Sequence, residues 1–349
     1  MTRLRWLGRV GLALCAALAA ALAAAAQPDA LAAPASAASA APRTLIRLWG
    51  HGSRQADPAG ALVRAWARGF ERQHPGVRVE ATLRGDSTAI GGLYTGAADL
   101  ALMERAPLAI ELEAYRPIFG NDPLRITVAT GSLDHDFHAP APVIFVNRSN
   151  PLQRLSLQQL AAILGLVPPR GQRAIRTWGG LGLKGAWAAR PITVYMPRIV
   201  DEVPQFLQAA VLGGSPKWTP QLREFADAPG SLDGERGTQI VRALEQDPAG
   251  IAIARWSDRT PRVHALALAA DPAGPWALPT DATLQQGRYP LARSLSLYLV
   301  QPQGGSPDPN VVAFVRYVLG PEGQRDVAQD GGYLPLTAER IHEQLGKLP

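Results

Sequence analysis

The sequence predicts an α/β fold, and three observations carry that prediction. The N-terminal part alternates strand-like and helix-like segments in the order β-α-β-α-β. Each strand-like segment ends in a polar or glycine-containing turn. No internal repeat of short period runs through the chain of 349 residues. Strands alternating with helices favour a largely parallel sheet in this part of the chain, and the missing repeat argues against a solenoid.

The elements follow in order. Residues 44–50, "TLIRLWG", read as a strand ending at Gly50, and "HGSRQADP" as the polar turn after it. Leu62, Val63, Trp66 and Phe70 then recur at helical spacing, and Pro75-Gly76 stops that helix. "VRVEATL" (77–83) alternates as a second strand; a turn and short helix lead to a third, "ADLALM" (98–103). Further strands are expected at 125–131, 142–147 and 191–196. Helices are expected at 156–164, with Ser156 as N-cap, and at 203–214. "GTQIVRALEQDP" and "AGIAIARW" repeat the helix-then-strand order. A strand over 289–300 precedes a final helix, turn, helix and extended tail.

Residues 1–26 stand apart from the fold. Arg3, Arg5 and Arg9 precede an almost unbroken run of Leu, Val and Ala, and small residues at Ala24 and Ala26 suit a signal peptidase. This segment is expected to be a cleavable export signal, and the Ala/Pro/Ser-rich residues 27–42 a disordered tether. An uncleaved anchor is the alternative, but the run is Ala-rich and short for a bilayer span. Cys15, the only cysteine, follows Leu14 rather than a small residue, which argues against lipidation. Without the signal the chain has no cysteine, so disulfides, thiol catalysis and thiolate metal sites are excluded. The net charge falls from +6 to +3 once the three signal arginines are removed, and no Lys/Arg cluster is present. Nucleic-acid binding is therefore not expected.

Three polar turns stand at strand ends, where open α/β sheets place their ligands. They are Gly52-Ser53-Arg54, Gly85-Asp86-Ser87-Thr88 and Glu104-Arg105. Helix starts offer free N–H groups and a positive dipole end, so Ser53, Ser87 and Thr88 are candidates to cradle an anion. Simple capping explains any one such turn; three in succession favour a site. Two competing readings of the second turn fail. Arg84-Gly85-Asp86 as an adhesion motif is explained by a strand-to-helix turn. Ser87 as a nucleophile lacks a Gly-x-Ser-x-Gly frame, and "ERIH" (339–342) is the nearest approach to a late Asp-x-x-His. "DHDFH" (134–138), with His135 and His138, lies between Gly131 and the Pro140/Pro142 pair and reads as a loop rather than a metal site. Trp178, Trp187, Trp218, Trp256 and Trp276 read as packing residues.

In this order the features resemble the periplasmic phosphate-binding proteins of ABC transporters. "GDSTAIGGLYTGAADLALMERAPLAIE" is similar to that family's Gly-Ser-Ser-x-Gly-Ile, Gly-x-x-Asp-Ile-Ala and Ser-Arg or Ser-Asp series. "VNRSNPLQRLSLQQLAAILG", "DPAGIAIARW", "GRYPLARSLSLYLV" and "FVRYVLGPEGQRDVAQDGGYLPL" are similar to its later segments, so the match spans nearly all of the chain after the export signal. The resemblance implies a two-lobed type II binding-protein fold, each lobe a mixed β-sheet flanked by helices. Lobe 1 would be residues 43–140 plus 287–349, and lobe 2 residues 141–286. It implies a monomeric periplasmic protein with no catalysis, cofactor or metal, which clamps a small anion and presents its closed form to a membrane ABC permease.

In that family phosphate is held by helix N-termini, hydroxyls, an arginine and one carboxylate. The carboxylate accepts a hydrogen bond from a protonated ligand and so disfavours sulfate. Carried over, these roles fall at Ser53, Asp86, Ser87, Glu104 beside Arg105, and Arg198. The last loop departs from the pattern: after Arg198 the family's Ser-Gly-Thr is replaced by Glu202-Val203-Pro204, although Phe206 keeps its spacing. Pro204 offers no N–H, and Asp201 and Glu202 bring negative charge to the helix start. A diverged member serving another ligand, or acting as a periplasmic accessory module, is the alternative.

Overall fold

The computed structural model describes residues 44–52, 58–133, 140–168, 173–227 and 235–349. The expected export signal and tether, Ser53, His135 and His138 lie outside the described residues. The chain first runs through β1 (Thr44–Gly50), α1 (Pro58–Gln73), β2 (Val77–Leu83), α2 (Ala89–Tyr94), β3 (Leu100–Met103), α3 (Ala109–Phe119) and β4 (Leu124–Gly131). It continues with β5 (Val143–Asn147), β6 (Arg154–Ser156), α4 (Leu157–Leu164), β7 (Thr193–Pro197), α5 (Glu202–Ala210), β8 (Leu222–Phe225), α6 (Glu235–Gln246) and β9 (Gly250–Ala254). β10 (Val263–Ala265), β11 (Ala267–Ala269), α7 (Asp281–Gln285), β12 (Ser294–Leu299), α8 (Pro309–Leu319), α9 (Pro321–Asp330), β13 (Tyr333–Leu334) and α10 (Ala338–Leu345) complete it.

Two main sheets organise these elements. The first has the order β13-β4-β12-β3-β1-β2, and the second β10-β5-β9-β7-β8. β1 pairs in parallel with both β2 and β3, as the β-α-β-α-β order predicts. β12 then returns from far along the chain and inserts antiparallel between β3 and β4, which makes the sheet mixed. The second sheet is mixed in the same way: β7 is parallel to β8 and β9, whereas β5 is antiparallel to β9.

Each sheet carries its own apolar core. Leu62, Val63, Trp66 and Phe70 of α1 are buried against Leu48, Leu100 and Leu102 of the first sheet and Phe314 of α8, which accounts for the helical spacing read in the sequence. In the second sheet Phe145, Val194, Ile251 and Ile253 pack with Trp178, Leu160 and Ile240. Ser156 caps α4 as expected: its Oγ accepts from Gln159 N at 3.1 Å, and Gln159 Oε1 accepts from Ser156 N at 3.0 Å. The tryptophans pack: Trp178 Nε1 donates to Ala249 O at 2.8 Å, Trp187 stands edge-on to Trp178, and Trp256 stacks on Phe145.

Some expectations shift in extent. α5 ends at Ala210 rather than continuing to Gly214. The strand read over 289–300 is paired only over Ser294–Leu299. The residues before it are occupied otherwise: Tyr289 is buried and its hydroxyl donates to Pro142 O at 3.0 Å. α3 and α10 escaped the sequence reading. α3 contains Pro117 and exposes Ile110 and Ile118, so its apolar spacing is weak. No helix among the described residues is long and apolar enough to cross a membrane.

Candidate functional site

The carboxyl ends of β1, β2 and β3 face a cleft of about 680 Å³. Gly50 shapes its floor. A side chain there would meet Leu102 O at 2.0 Å, and its φ of +144° is one that L residues rarely adopt. With glycine in place, His51 N donates to Leu102 O and Gly85 N to Gly50 O, at 2.8 and 2.9 Å. The first two turns are thereby fixed side by side, and the His51 ring is delivered to the cleft.

His51 sits between two acids. Its Nδ1 is 3.1 Å from Asp86 Oδ1, and its Nε2 is 3.3 Å from Glu104 Oε1. Asp86 Oδ2 also accepts from Glu104 N at 3.2 Å. Glu104, only 2% exposed, takes a short hydrogen bond from the hydroxyl of Tyr333 on β13 and lies 3.8 Å from Arg293 Nη2. Arg293 precedes β12 and is 1% exposed; its Nη2 also pairs closely with the carboxylate of Glu202, the first residue of α5. The Arg293 guanidinium lies 5.6 Å from the centre of the Phe206 ring, one turn further along α5. Its Nε and Nη1 are buried with no hydrogen-bond partner among the described residues.

These contacts set the charges. Burial alone would push His51 down. The hydrogen bond to Asp86 and the charges of Glu104, Asp86 and Glu202 outweigh it, lifting His51 to about 9, so it is a cation at neutral pH. Burial pushes Glu104 up and prevails over the opposing pull of His51 and Arg293. For Arg293 burial works against the charge, but Glu202 and Glu104 hold it firmly protonated. His51 and Arg293 thus form one linked cluster with the carboxyl groups of Asp86, Glu104 and Glu202, and Arg105 and Arg125 also line the cleft, an arrangement that can exchange an internal acid for an external anion.

Of the residues predicted from the sequence, Asp86, Glu104 and Arg105 line this cleft. Arg105 is already engaged: its Nη1 and Nη2 reach Glu111 of α3 at 2.8 and 2.6 Å, and Glu111 also accepts from Leu108 N at the start of that helix. Ser87 is exposed and Thr88 Oγ1 donates to Gly85 O at 2.9 Å; neither lines the cleft. Arg198 is not brought to the cleft lining either. It is 52% exposed and turned onto Asp201, with Nη2 2.8 Å from Oδ1, because Asp201 lies three residues ahead at the entrance to α5.

His51, Arg293 and Tyr333 were missed. His51 directly follows a strand end, one residue before the turn that was singled out. Arg293 is the lone charge in "YPLARSLSLYLV". A cation isolated in an apolar stretch is a signal for a buried ionic role.

Two mixed sheets with a charged cleft at strand ends define a ligand-binding class rather than a particular ligand. A family model for the PBP superfamily domain matches residues 40–322, so the chain belongs to the PBP superfamily. It is 30% identical over 295 residues to the phosphate-binding protein PstS of Pseudomonas aeruginosa, covering 83% of this chain and 85% of that protein. It is 24% identical over 283 residues to the protein SphX of Synechococcus elongatus, covering 80% of this chain and 75% of that one. Among solved structures, PstS from Borrelia burgdorferi superposes with a TM-score of 0.58 at 12% identity, covering 85% of this chain and all of the other (100%). An ABC-type phosphate transport receptor from Vibrio cholerae gives 0.51 at 17%, covering 83% and 99%. The fold is that of the type II periplasmic binding proteins.

Proposed function

We propose that this protein is an exported solute-binding component of an ABC importer that clamps a small oxyanion, phosphate or a close relative, between two lobes. The carrying observation is Arg293: a buried guanidinium in the cleft wall whose Nε and Nη1 have no hydrogen-bond partner among the described residues, beside a protonated His51. A planar guanidinium with unused donors suits an oxyanion, which accepts two N–H groups at once. The relation to a phosphate-binding protein over most of both chains supports phosphate as the first ligand to try.

In this reading lobe 1 comprises residues 43–140 and 287–349, and lobe 2 residues 141–286. The protein binds without catalysis, works as a monomer in the periplasm after removal of residues 1–26, and delivers its ligand to a membrane permease. Glu104 accepts a hydrogen bond from the protonated ligand, and Asp86 holds His51 in place. Titration calorimetry of ligand-free protein with phosphate, with sulfate as the comparator, tests the reading. Saturable phosphate heat that Arg293→Gln abolishes supports it; absence of heat with the wild type rejects it. A second reading, an accessory module that no longer carries a solute, is favoured by Glu202, which already places a carboxylate on Arg293. It predicts that neither anion binds.

A further inference from the structure

Resting on the anion-binding reading of the cleft, we propose that the Glu202 carboxylate is a resident competitor, and that a ligand binds by taking its place on Arg293.

Glu202 differs from the other acids of the site. Asp86 is held by His51 and by Glu104 N, and Glu104 by His51 and Tyr333. Glu202 has Arg293 as its only charged partner among the described residues, and its side chain is 66% exposed. A glutamate in the first turn of a helix ordinarily serves that helix's own N–H groups. Here the N-cap residue Asp201 makes no side-chain bond to the helix and is engaged elsewhere. Asp201 accepts from Arg198 N at 3.1 Å and from Arg236 Nη1 at 2.9 Å, and Pro204 removes one of the N–H groups to be served. Glu202 is left to reach the guanidinium.

It uses that guanidinium poorly. One oxygen meets Nη2, while Nε and Nη1 remain buried and without a hydrogen-bond partner among the described residues. A free oxyanion in the cleft is not tethered to α5 and, once it takes the place of Glu202 at Nη2, can bridge Nη2 with Nε or with Nη1 along one edge of the fork. The exchange also conserves charge, since one negative group leaves as another arrives next to Glu104 and Asp86. Glu202 therefore keeps the buried cation paired when no ligand is present and lowers apparent affinity in proportion to its occupancy.

If Glu202 covers Arg293 about nine-tenths of the time, Glu202→Gln should tighten phosphate binding about tenfold. Glu113→Gln, an equal charge change on the exposed side of α3, is the control for net charge. Calorimetry with inorganic phosphate on wild type and both variants decides the matter, with melting curves to confirm folding. Measurable binding by the wild type that Glu202→Gln alone tightens supports the proposal. Equal gains in both variants overturn it as a long-range charge effect. Binding by the wild type that Glu202→Gln leaves unchanged or weakens overturns it and leaves the anion-binding reading intact. If no protein binds phosphate, both fall together.

Discussion

The two walls of the cleft are prepared to different degrees. On the first-sheet wall His51, Asp86, Glu104 and Tyr333 are bonded to one another and fixed by strand ends whose backbone is itself paired. On the opposite wall the start of α5 presents Glu202 on an exposed side chain that reaches across, while Arg198, just before α5 and outside the cleft lining, pairs with its neighbour Asp201. Arg293 is where the walls meet. The difference teaches that the buried wall sets which charges the cleft can hold, whereas the exposed wall sets how readily they are reached. Rigid placement on one side and adjustable placement on the other suits a site that must both recognise and release.

The contrast is broken most severely at Arg293. Arg293→Ala takes one of the two cations from Glu104 and the ion-pair partner from Glu202, and breaking a buried ionic network in this way costs about 3–5 kcal/mol. Urea denaturation should show that loss. Arg198→Ala, taken through the same measurement, should leave the midpoint close to wild type, because its pair with Asp201 is solvated. If the two variants lose similar stability, the walls are not different in kind.

The second effect is pH-dependent. His51 has its proton affinity raised to about 9 on folding, so its contribution is fully present below its ordinary value and is lost as pH rises through 9. The shift corresponds to on the order of 3 kcal/mol. Glu104 is raised as well, so its contribution too is lost as pH rises above its ordinary value, in the same direction. Stability should therefore fall between about pH 6.5 and 9.5, and His51→Gln should flatten that slope. A wild-type profile already flat over this window would mean that the first wall is not the charged network described.

Much of this was legible in the sequence, for identifiable reasons. The strand-helix order fixed the parallel β2-β1-β3 core, because period-2 and period-3.6 patterns report local burial directly. The turns at Asp86 and Glu104 could be found because they end strands. Arg293 could not be placed: it lies far along the chain, and only the insertion of β12 between β3 and β4 brings it to Glu104. Arg198 illustrates the reverse error. Its spacing to Phe206 kept the family register, but a register says nothing about rotamers, and Asp201 supplied a nearer partner. Arg105 lines the cleft, but its pairing could not be read, because Glu111 belongs to a helix whose weak apolar pattern hid it.

Tyr333→Phe tests how complete the first wall is. The hydroxyl comes from β13 at the edge of the sheet and reaches Glu104 across the chain. Removing it leaves a buried carboxyl with one donor fewer, at a cost of about 1–3 kcal/mol. That loss should be smaller than for Arg293→Ala in the same denaturation series, since no charge is removed.

The smallest effect is expected at the rim. Glu111→Gln keeps the size of the side chain and its capping of Leu108 N but removes the charge that holds Arg105. The pair is partly solvated, so about 1 kcal/mol of stability is at stake. The sharper readout is ligand affinity. A released Arg105 frees a mobile cation at the cleft and should strengthen phosphate binding at low salt, with the gain fading as salt is raised. If Glu111→Gln instead weakens binding, Arg105 matters to the site through its fixed position, and the rigid wall extends one turn further than Glu104.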